Sequence, residues 1–537
     1  MIRTLLCIVG LLASRAWASQ EYRRDFQKSV PVGPTEAIEI ENRSGDVLVR
    51  AGARSDVSIR ATIKAEARDA AEARQMADKV RIEVIRGASG ISVRTHYPSQ
   101  AQGWFADRNV SLAVSYDIAL PETCPLGIRN QFGAVVVTDL KANATIRNSN
   151  GRLVFRDGRG TQRLENSFGS AEVEGNRGDV WLVNTNGPVR VTDVFGLANV
   201  RNRFGEVFVR KVSGAVSIDN ANGNVEVSGA GGEAAITNSF GPVTAGNLKG
   251  NLRIENRNGE VSARGVAGAA DLRTSFAGVH FFDIGRRLTV MANNSGVSGS
   301  KVGEGAAIET SFGPVDVRDV TGALTVKNGN SSVTLQGATG AVDVRNSFGP
   351  VEVTGARKGV RIVTGNSDVT LMDVAGDTYV KTSFGQVRVE RVGGPLTVEN
   401  SNGGVRVADP AAGVNASTSF GGVEIDGAAG PVEIANSNGP VVVSTTQAGT
   451  CRPITLKTSF SPLKLYLPED AAYSLSARTS FGKIQSQLPV TASGVIGEDS
   501  LSGSIGRGGC ELRLTNQNGS IDILKSAPAA RAAVTRR

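Results

Sequence analysis

Phenylalanine falls at Phe132, Phe168, Phe204, Phe240, Phe276, Phe312, Phe348, Phe384 and Phe420, a period of 36 residues without a slip. Asparagine stands midway in every interval, from Asn150 and Asn186 through Asn258 and Asn330 to Asn402 and Asn438. The unit is therefore 18 residues long, used alternately in a Phe and an Asn version. A strict period held over this length constrains the chain to a solenoid, in which each unit is one coil and contacts only its neighbours. At 537 residues a single compact core would be unusually large, whereas a stack grows in one dimension.

The columns of the repeat state which positions face inward. One column runs Val135, Leu153, Ala171, Val189, Val207 and Val225, and a second, two residues on, runs Val137, Phe155, Val173, Val191, Val209 and Val227. Glu172, Arg190 and Glu226 lie between them. Apolar, polar, apolar with β-branched residues is a short strand with one buried face. A second strand follows in each coil, with Ile146, Leu164, Leu182, Val200 and Ile218 inward. Between the strands a glycine recurs at Gly160, Gly178, Gly196, Gly214, Gly250, Gly322 and Gly340, marking a corner that needs a permissive backbone.

At the other corner Asn130, Asn148, Asn166, Asn184, Asn202, Asn220, Asn238 and Asn256 form a column continued later by Thr274, Thr310 and Thr364. Stacked amides can pass hydrogen bonds from coil to coil and satisfy the turn. Gly133, Gly151, Gly169 and Gly187 follow as turn residues, with Ser295, Ser331 and Ser367 replacing them in three coils. Counting parity from Ile146 and Asn148 puts the Phe/Asn column inside, so the phenyl rings are expected to plug every second coil. An exposed aromatic stripe for sugars is the weaker alternative.

The fold class is thus all-β: a single-stranded parallel β-helix or solenoid with 18-residue coils, capped at both ends, with one short helix in the N-terminal region. We divide the chain into a signal peptide over 1–18, an N-terminal β-rich capping region over 19–128 with a helical insertion near 66–79, the regular solenoid over 129–445, a C-terminal β cap over 446–525 and a flexible tail over 526–537. The signal rests on Arg3, the apolar run Leu5 to Ala13 and the small-residue site Ala16-Trp17-Ala18. No later stretch is apolar enough to span a bilayer. Asn42-Arg43-Ser44-Gly45-Asp46-Val47 already reads as one coil, so the N-terminal region is a solenoid start carrying an insertion. Near the C-terminus the register slips by four at Thr458-Ser459-Phe460, and Ala492 to Gly509 reads as a Gly/Ser-rich loop. Cys451 and Cys510 bracket that segment and can pair in an oxidising compartment, leaving Cys124 free.

Ile38-Glu39-Ile40-Glu41-Asn42-Arg43-Ser44-Gly45-Asp46-Val47, the Asn-Ser-Phe-Gly and Asn-x-Asn-Gly turns followed by Val-x-Val, and Asn518-Gly519-Ser520-Ile521-Asp522-Ile523 together resemble the exported bacterial family known as putative adhesins, a domain of unknown function built as a β-solenoid. The resemblance spans nearly all of the chain after the signal. It implies a surface or envelope location and adhesion, and it supplies no catalytic residues.

The net charge of +8 is spread among abundant acids, which reads as a solvated surface and not as a nucleic-acid footprint. Only His96 and His280 exist as imidazoles, neither beside a nucleophile motif. No Cys/His spacing suggests a metal, aspartate shows no turn periodicity suited to calcium, and no cofactor is expected. A solenoid lyase or hydrolase acting on polysaccharide is the enzyme alternative, but the outward column does not stack carboxylates in neighbouring coils. One irregularity is a candidate partner contact: His280 and Phe282 point outward by strand parity, near Arg286 and Arg287. The expected protein is a non-enzymatic adhesin or envelope scaffold, exported to the cell surface, periplasm or medium. Its expected partners are a surface glycan, another envelope protein or itself, and not nucleic acid.

Overall fold

The computed structural model describes residues 20–98, 110–446, 451–493 and 497–526. The signal segment, the tail beyond 526, one stretch inside the N-terminal capping region and two inside the C-terminal one lie outside them. The chain is 64% strand and 2% helix, a β-solenoid of about 19 turns in two compact units, Met1–Gly223 and Asn224–Arg537. No helix among the described residues is long and apolar enough to cross a membrane.

In the first unit the solenoid begins where the Asn42 motif indicates. Strands β1 (Gln20–Pro31), β2 (Ala37–Ser44), β3 (Val47–Gly52), β4 (Asp56–Ala67), helix α1 (Ala70–Lys79), β5 (Arg81–Gly87), β6 (Gly90–His96), β7 (Ser111–Pro121), β8 (Leu126–Phe132) and β9 (Val135–Thr138) come in that order. β2 and β3 form one coil and pair parallel with β8 and β9 in the register of the repeat, Asn42 against Asn130 and Val47 against Val135. Everything from 53 to 125 is an insertion between two adjacent coils. Within it β6 and β7 add a further parallel layer on β2 and β3. Antiparallel strands then close the end, β5 on β6 and β4 on β7, with β1 outermost on β4.

β1 escapes a reading by alternation because none of its residues is buried and it carries Arg23, Arg24, Asp25 and Lys28. That is how an edge strand discourages pairing with other chains. The helix is shorter than its expected 66–79 span. Glu66 and Ala67 stay in β4, since β1 pairs with it out to Gln20 against Ala67. Asp69 then caps the helix, its carboxylate accepting from Glu72 N at 2.8 Å.

Each regular coil has two strands in register with the coils on either side, as Leu153 to Arg156 against Ala171 to Glu174 and Gln162 to Asn166 against Val180 to Asn184. The expected inward columns are buried throughout, Val135, Val137, Ile146 and Val191 being fully enclosed. Burying each such side chain contributes about 1.5–3 kcal/mol relative to leaving it in water. A further inward column was not anticipated: Val194, Val212, Ala230, Leu248, Val266 and Ile284 close the core at the corner between the strands. Core volume is balanced across coils. Phe281 takes a place usually held by Val, and Gly299 stands against it in the next coil, where a Cβ would lie 2.6 Å from the ring.

The glycines of that corner act in two ways. Gly160, Gly178 and Gly322 have positive φ, while Gly196, Gly214, Gly250 and Gly340 do not and serve close approach, a Cβ at Gly250 falling 2.3 Å from Gly232 O. The left-handed position of the corner is another column, Asp139, Asp157, Gly175, Asp193 and Lys211 in the first unit, with Asn247, Asp283, Asp319, Asp373 and Asp409 in the second. Aspartate is therefore periodic at a turn, against expectation. The physical reason is that Asp and Asn tolerate left-handed φ better than other side chains.

At the C-terminal end the order of coils in space departs from the order in the chain. Ile454–Lys457 follows Val432–Asn436 with the four-residue slip, Val432 opposite Ile454. Its next neighbour is not Tyr473–Arg478 but Cys510–Thr515, which lies between the two. Ile521–Lys525 is likewise inserted between Leu463–Leu467 and Ile484–Ser486. Part of the expected Gly/Ser-rich loop, Ser500–Ile505, is a strand that closes the end antiparallel to Tyr473–Arg478. Cys451 and Cys510 are joined, tying the inserted coil to the coil before it, and Cys124 is buried with its thiol donating to Gly33 O. With a sequence separation of 59 between the cysteines, the loop-closure estimate is roughly 4 kcal/mol. Reduction, or Cys451→Ser/Cys510→Ser, is expected to make the C-terminal coils open first. Protease cutting after 451 at temperatures where 224–440 stays intact would show this, and equal resistance of both forms would refute it.

Candidate functional site

The corner carrying the Asn, Phe and Gly columns is built from the inside. In the Phe coil at Asn166 the side chain is 2% exposed and Nδ2 donates to Gly169 O of its own turn at 3.1 Å. In the first unit the amides also bond to one another. Asn42 donates to Asn130, Asn130 to Asn148, Asn148 to Asn166 and Asn166 to Asn184, each at 3.2 Å. The chain of amides stops there, since Asn202 reaches only the carbonyls of Gly187 and Gly205 and its Oδ1 has no partner. In later coils the same carbonyls are met by Thr hydroxyls, as Thr310 Oγ1 to Ser295 O at 2.9 Å and Thr418 Oγ1 to Gly403 O at 3.1 Å.

This buried polar layer decides where the aromatic column goes. The interior of the corner is already filled by Asn, and the strand pleat breaks just after it. Pairing passes from Asn148↔Asn166 to Asn150↔Phe168, and Gly169 follows at φ +118. Between Asn166 and Ala171 no residue is buried. The phenyl rings therefore project into solvent and do not plug the coils, the reverse of the parity expectation. Phe168 is 55% exposed, Phe240 54%, Phe312 53%, Phe384 54% and Phe420 65%. Phe132, at the start of the column, is half-buried.

The rings alternate with Asn residues that are held in place. Nδ2 of Asn150 donates to Gln131 O, Asn402 to Ser383 O and Asn438 to Ser419 O, at 2.9–3.2 Å, which spans the preceding Phe coil. The permuted C-terminal coils keep the pattern. Phe460 and Phe481 are 62% and 83% exposed, and the coil lying between theirs in space carries Asn518, whose Nδ2 donates to Ser459 O at 3.3 Å. Alternation is thus a property of the stack in space and not only of the order of units in the chain. Beside the column in the second unit runs an open groove of about 730 Å³ with Phe312, Lys327, Asn330, Arg345 and Ser347 in its walls.

The candidate contact at the chain's irregular coil is partly assembled. His280 and Phe282 lie exposed on one face of Val279–Ile284, two residues apart. His280 Nδ1 is 2.8 Å from Ser298 Oγ and Nε2 is 3.8 Å from Glu260. The cations near Phe282 are Arg264, 5.9 Å from the ring centre, and Lys301, at 4.8 Å. Arg286 and Arg287 are exposed but lie beyond Ile284, past the end of the strand. The pairing of Arg264 with Phe282 was legible in the 18-residue register, since Arg264 is the position directly below Phe282, whereas the register sets Ser300 above the ring and Lys301 reaches it from one residue further on.

The opposite corner is ionic. Lys211 Nζ is 3.3 Å from Asp193 and Arg391 Nε 2.6 Å from Asp373, each pair stacked one coil apart. The hydrogen bond from Arg391 holds the Asp373 carboxyl below the usual carboxylate range. No group of three or more metal-ligating side chains occurs among the described residues.

No family model matches the chain, and no curated protein does. Among solved structures, a crystal structure described as a putative cell adhesion protein from Clostridium sporogenes is similar at 13% identity, over 44% of this chain and all of that one, with a TM-score of 0.17. A likeness of that size carries no argument, so the fold class, a capped β-solenoid, rests on the pairing and burial described above.

Proposed function

We propose that this protein is a non-enzymatic, exported β-solenoid that acts as an adhesin or cell-envelope scaffold through repeated contacts along its coils. The observation that carries the reading is the exposed Phe/Asn column. Apolar rings that recur in water over many coils mark a contact surface, since soluble monomers seldom keep a long apolar strip uncovered. Many weak contacts in series give avidity without a deep pocket. The signal-like first 18 residues and the disulfide support an oxidising, exported setting.

The test is protease shaving of intact cells, followed with an antibody to the Asn-Gly turns, beside an assay of the purified chain for new reducing ends on envelope and plant polysaccharides. Digestion of the repeats on whole cells supports adhesion, and protection until the envelope is opened supports an internal scaffold. Release of reducing ends would overturn the non-enzymatic reading in favour of a polysaccharide-active enzyme. His280 and Phe282, with Arg264 and Lys301 around them, are a candidate local contact within this surface.

A further inference from the structure

The column in the second unit runs through eight rings, from Phe240 to Phe481, each at least half exposed. The residue before every one of them is serine, as at Ser239, Ser311, Ser347 and Ser480. Each ring therefore rises from small neutral neighbours, and each intervening coil offers a shorter side chain, chiefly Asn. The strip is a row of knobs separated by holes of one coil.

We infer that this strip is the seam of a lateral homodimer, in which a second copy of the chain sets its rings over the Asn coils of the first, one coil out of step. The inference rests on the scaffold reading and names the partner of its contact surface. Three physical points favour a second copy over a foreign polymer. Rings two coils apart are about 9.6 Å from each other, so interleaving two strips spaces neighbouring rings about 4.8 Å apart. That falls in the range of about 4.5–7 Å preferred by offset-stacked aromatic pairs.

Register is the second point. A polymer whose repeat differs even slightly from two coils drifts out of step along the strip, whereas a second copy has the same pitch by identity. A two-fold axis across the strip, midway between coils, makes each ring-to-hole contact twice and closes the assembly as a dimer. Third, covering the exposed part of eight phenyl rings removes roughly 900 Å² per copy, about 1,800 Å² for the pair, within the range of specific interfaces. The charges in the groove beside the strip are of both signs, Glu309 with Lys327 and Arg345, so two copies of net charge +8 can meet there with unlike charges facing. The preserved alternation at Phe460, Asn518 and Phe481, where chain order is broken, is what a seam with holes of one coil requires.

The experiment is sedimentation velocity on residues 19–537 over a concentration series, wild type against Phe312→Asn/Phe348→Asn/Phe384→Asn. The substitution installs the residue that alternate coils already carry, so circular dichroism and thermal melting are expected to be unchanged. The wild type is expected to be a dimer, and the variant to weaken it on the order of a hundredfold or more, since buried aromatics dominate such interfaces. Ser347→Glu/Ser383→Glu, which leaves every ring in place and sets acids beside the seam, is expected to dissociate the dimer as well. A wild type that stays monomeric at every concentration overturns the inference, as does a dimer that both variants leave intact. If the wild type is monomeric and the ring variant loses retention on an immobilised neutral polysaccharide, the strip belongs to a glycan. The seam then falls while the repeated-contact reading stands, and that reading fails separately on release of reducing ends.

Discussion

Gly187→Val is expected to cost more than about 4 kcal/mol and to open the coils on either side of it. Gly187 has φ +134, which a β-branched residue does not adopt, and a Cβ there would lie 2.2 Å from Gly169 O and 2.6 Å from Gly169 C. The overlapping atoms are backbone, so no rotamer change relieves them. The same contact recurs one coil on, where Gly205 meets Gly187 O at 2.4 Å, so a shift at one turn is transmitted to the next. The chain shows what is needed to escape this. Ser295 and Ser367 stand at the equivalent place without positive φ, and each sits on a rebuilt turn, Ser295 Oγ donating to Asn293 O and Thr364 Oγ1 to Ser367 Oγ. Hydrogen exchange is the suitable readout, because a stacked array loses coils locally and not in one step. Val180–Asn186 and Val189–Val194 should lose protection while Val47–Gly52 keeps it. A variant as protected as wild type would show that the turn relaxes freely.

The second large effect is expected at Asn148. Its Nδ2 donates to Gly133 O and to Asn166 Oδ1, and its Oδ1 accepts from Asn130 Nδ2. Asn148→Leu preserves the volume and strands these groups in a buried corner, Asn148 being 3% exposed, at a cost of about 3–5 kcal/mol. Asn148→Thr is expected to cost only about 1 kcal/mol, because a Thr hydroxyl already satisfies the same carbonyl at Thr310 and Thr418. Urea denaturation of residues 19–223 followed by proteolysis separates the two variants. Equal destabilisation by Leu and Thr would mean that shape, and not hydrogen bonding, governs the corner. The corresponding change in the second unit, Asn256→Leu, should be milder, since Asn256 makes two carbonyl bonds and its Oδ1 is already without a partner.

Much of the architecture is legible in the columns because a parallel stack repeats its environment every 18 residues. Val135 and Val137, Ile146 and Asn148 read as buried since each lies over its own kind, and Asn42 to Val47 reads as a coil although the residue paired with Asn42, Asn130, lies 88 positions further on. Reasoning by strand parity fails where the backbone leaves the pleat. That is why Phe168 and its counterparts read as core and stand in water, and why Val194, three residues beyond Val191, is inside. The aspartates at 139, 157 and 193 were in plain view with the same period, but only the positive φ of that position explains them.

The 18-residue period and its apolar columns, by themselves, require a stack of two-stranded coils with polar corners, because no other arrangement buries every Val column at once. Which way the corner residues point required the folded chain. A corner's direction depends on the φ of one glycine and on whether the space inside is already taken by an amide from two residues earlier. The order of the last coils also required it, since Ile454–Lys457 can pair equally well with any strand of the same pattern, and the connections of the cap select Cys510–Thr515. The alternating strip of rings emerges from both: the sequence spaces Phe and Asn by 18 residues, and the fold turns that spacing outward and completes it with a coil drawn from the end of the chain.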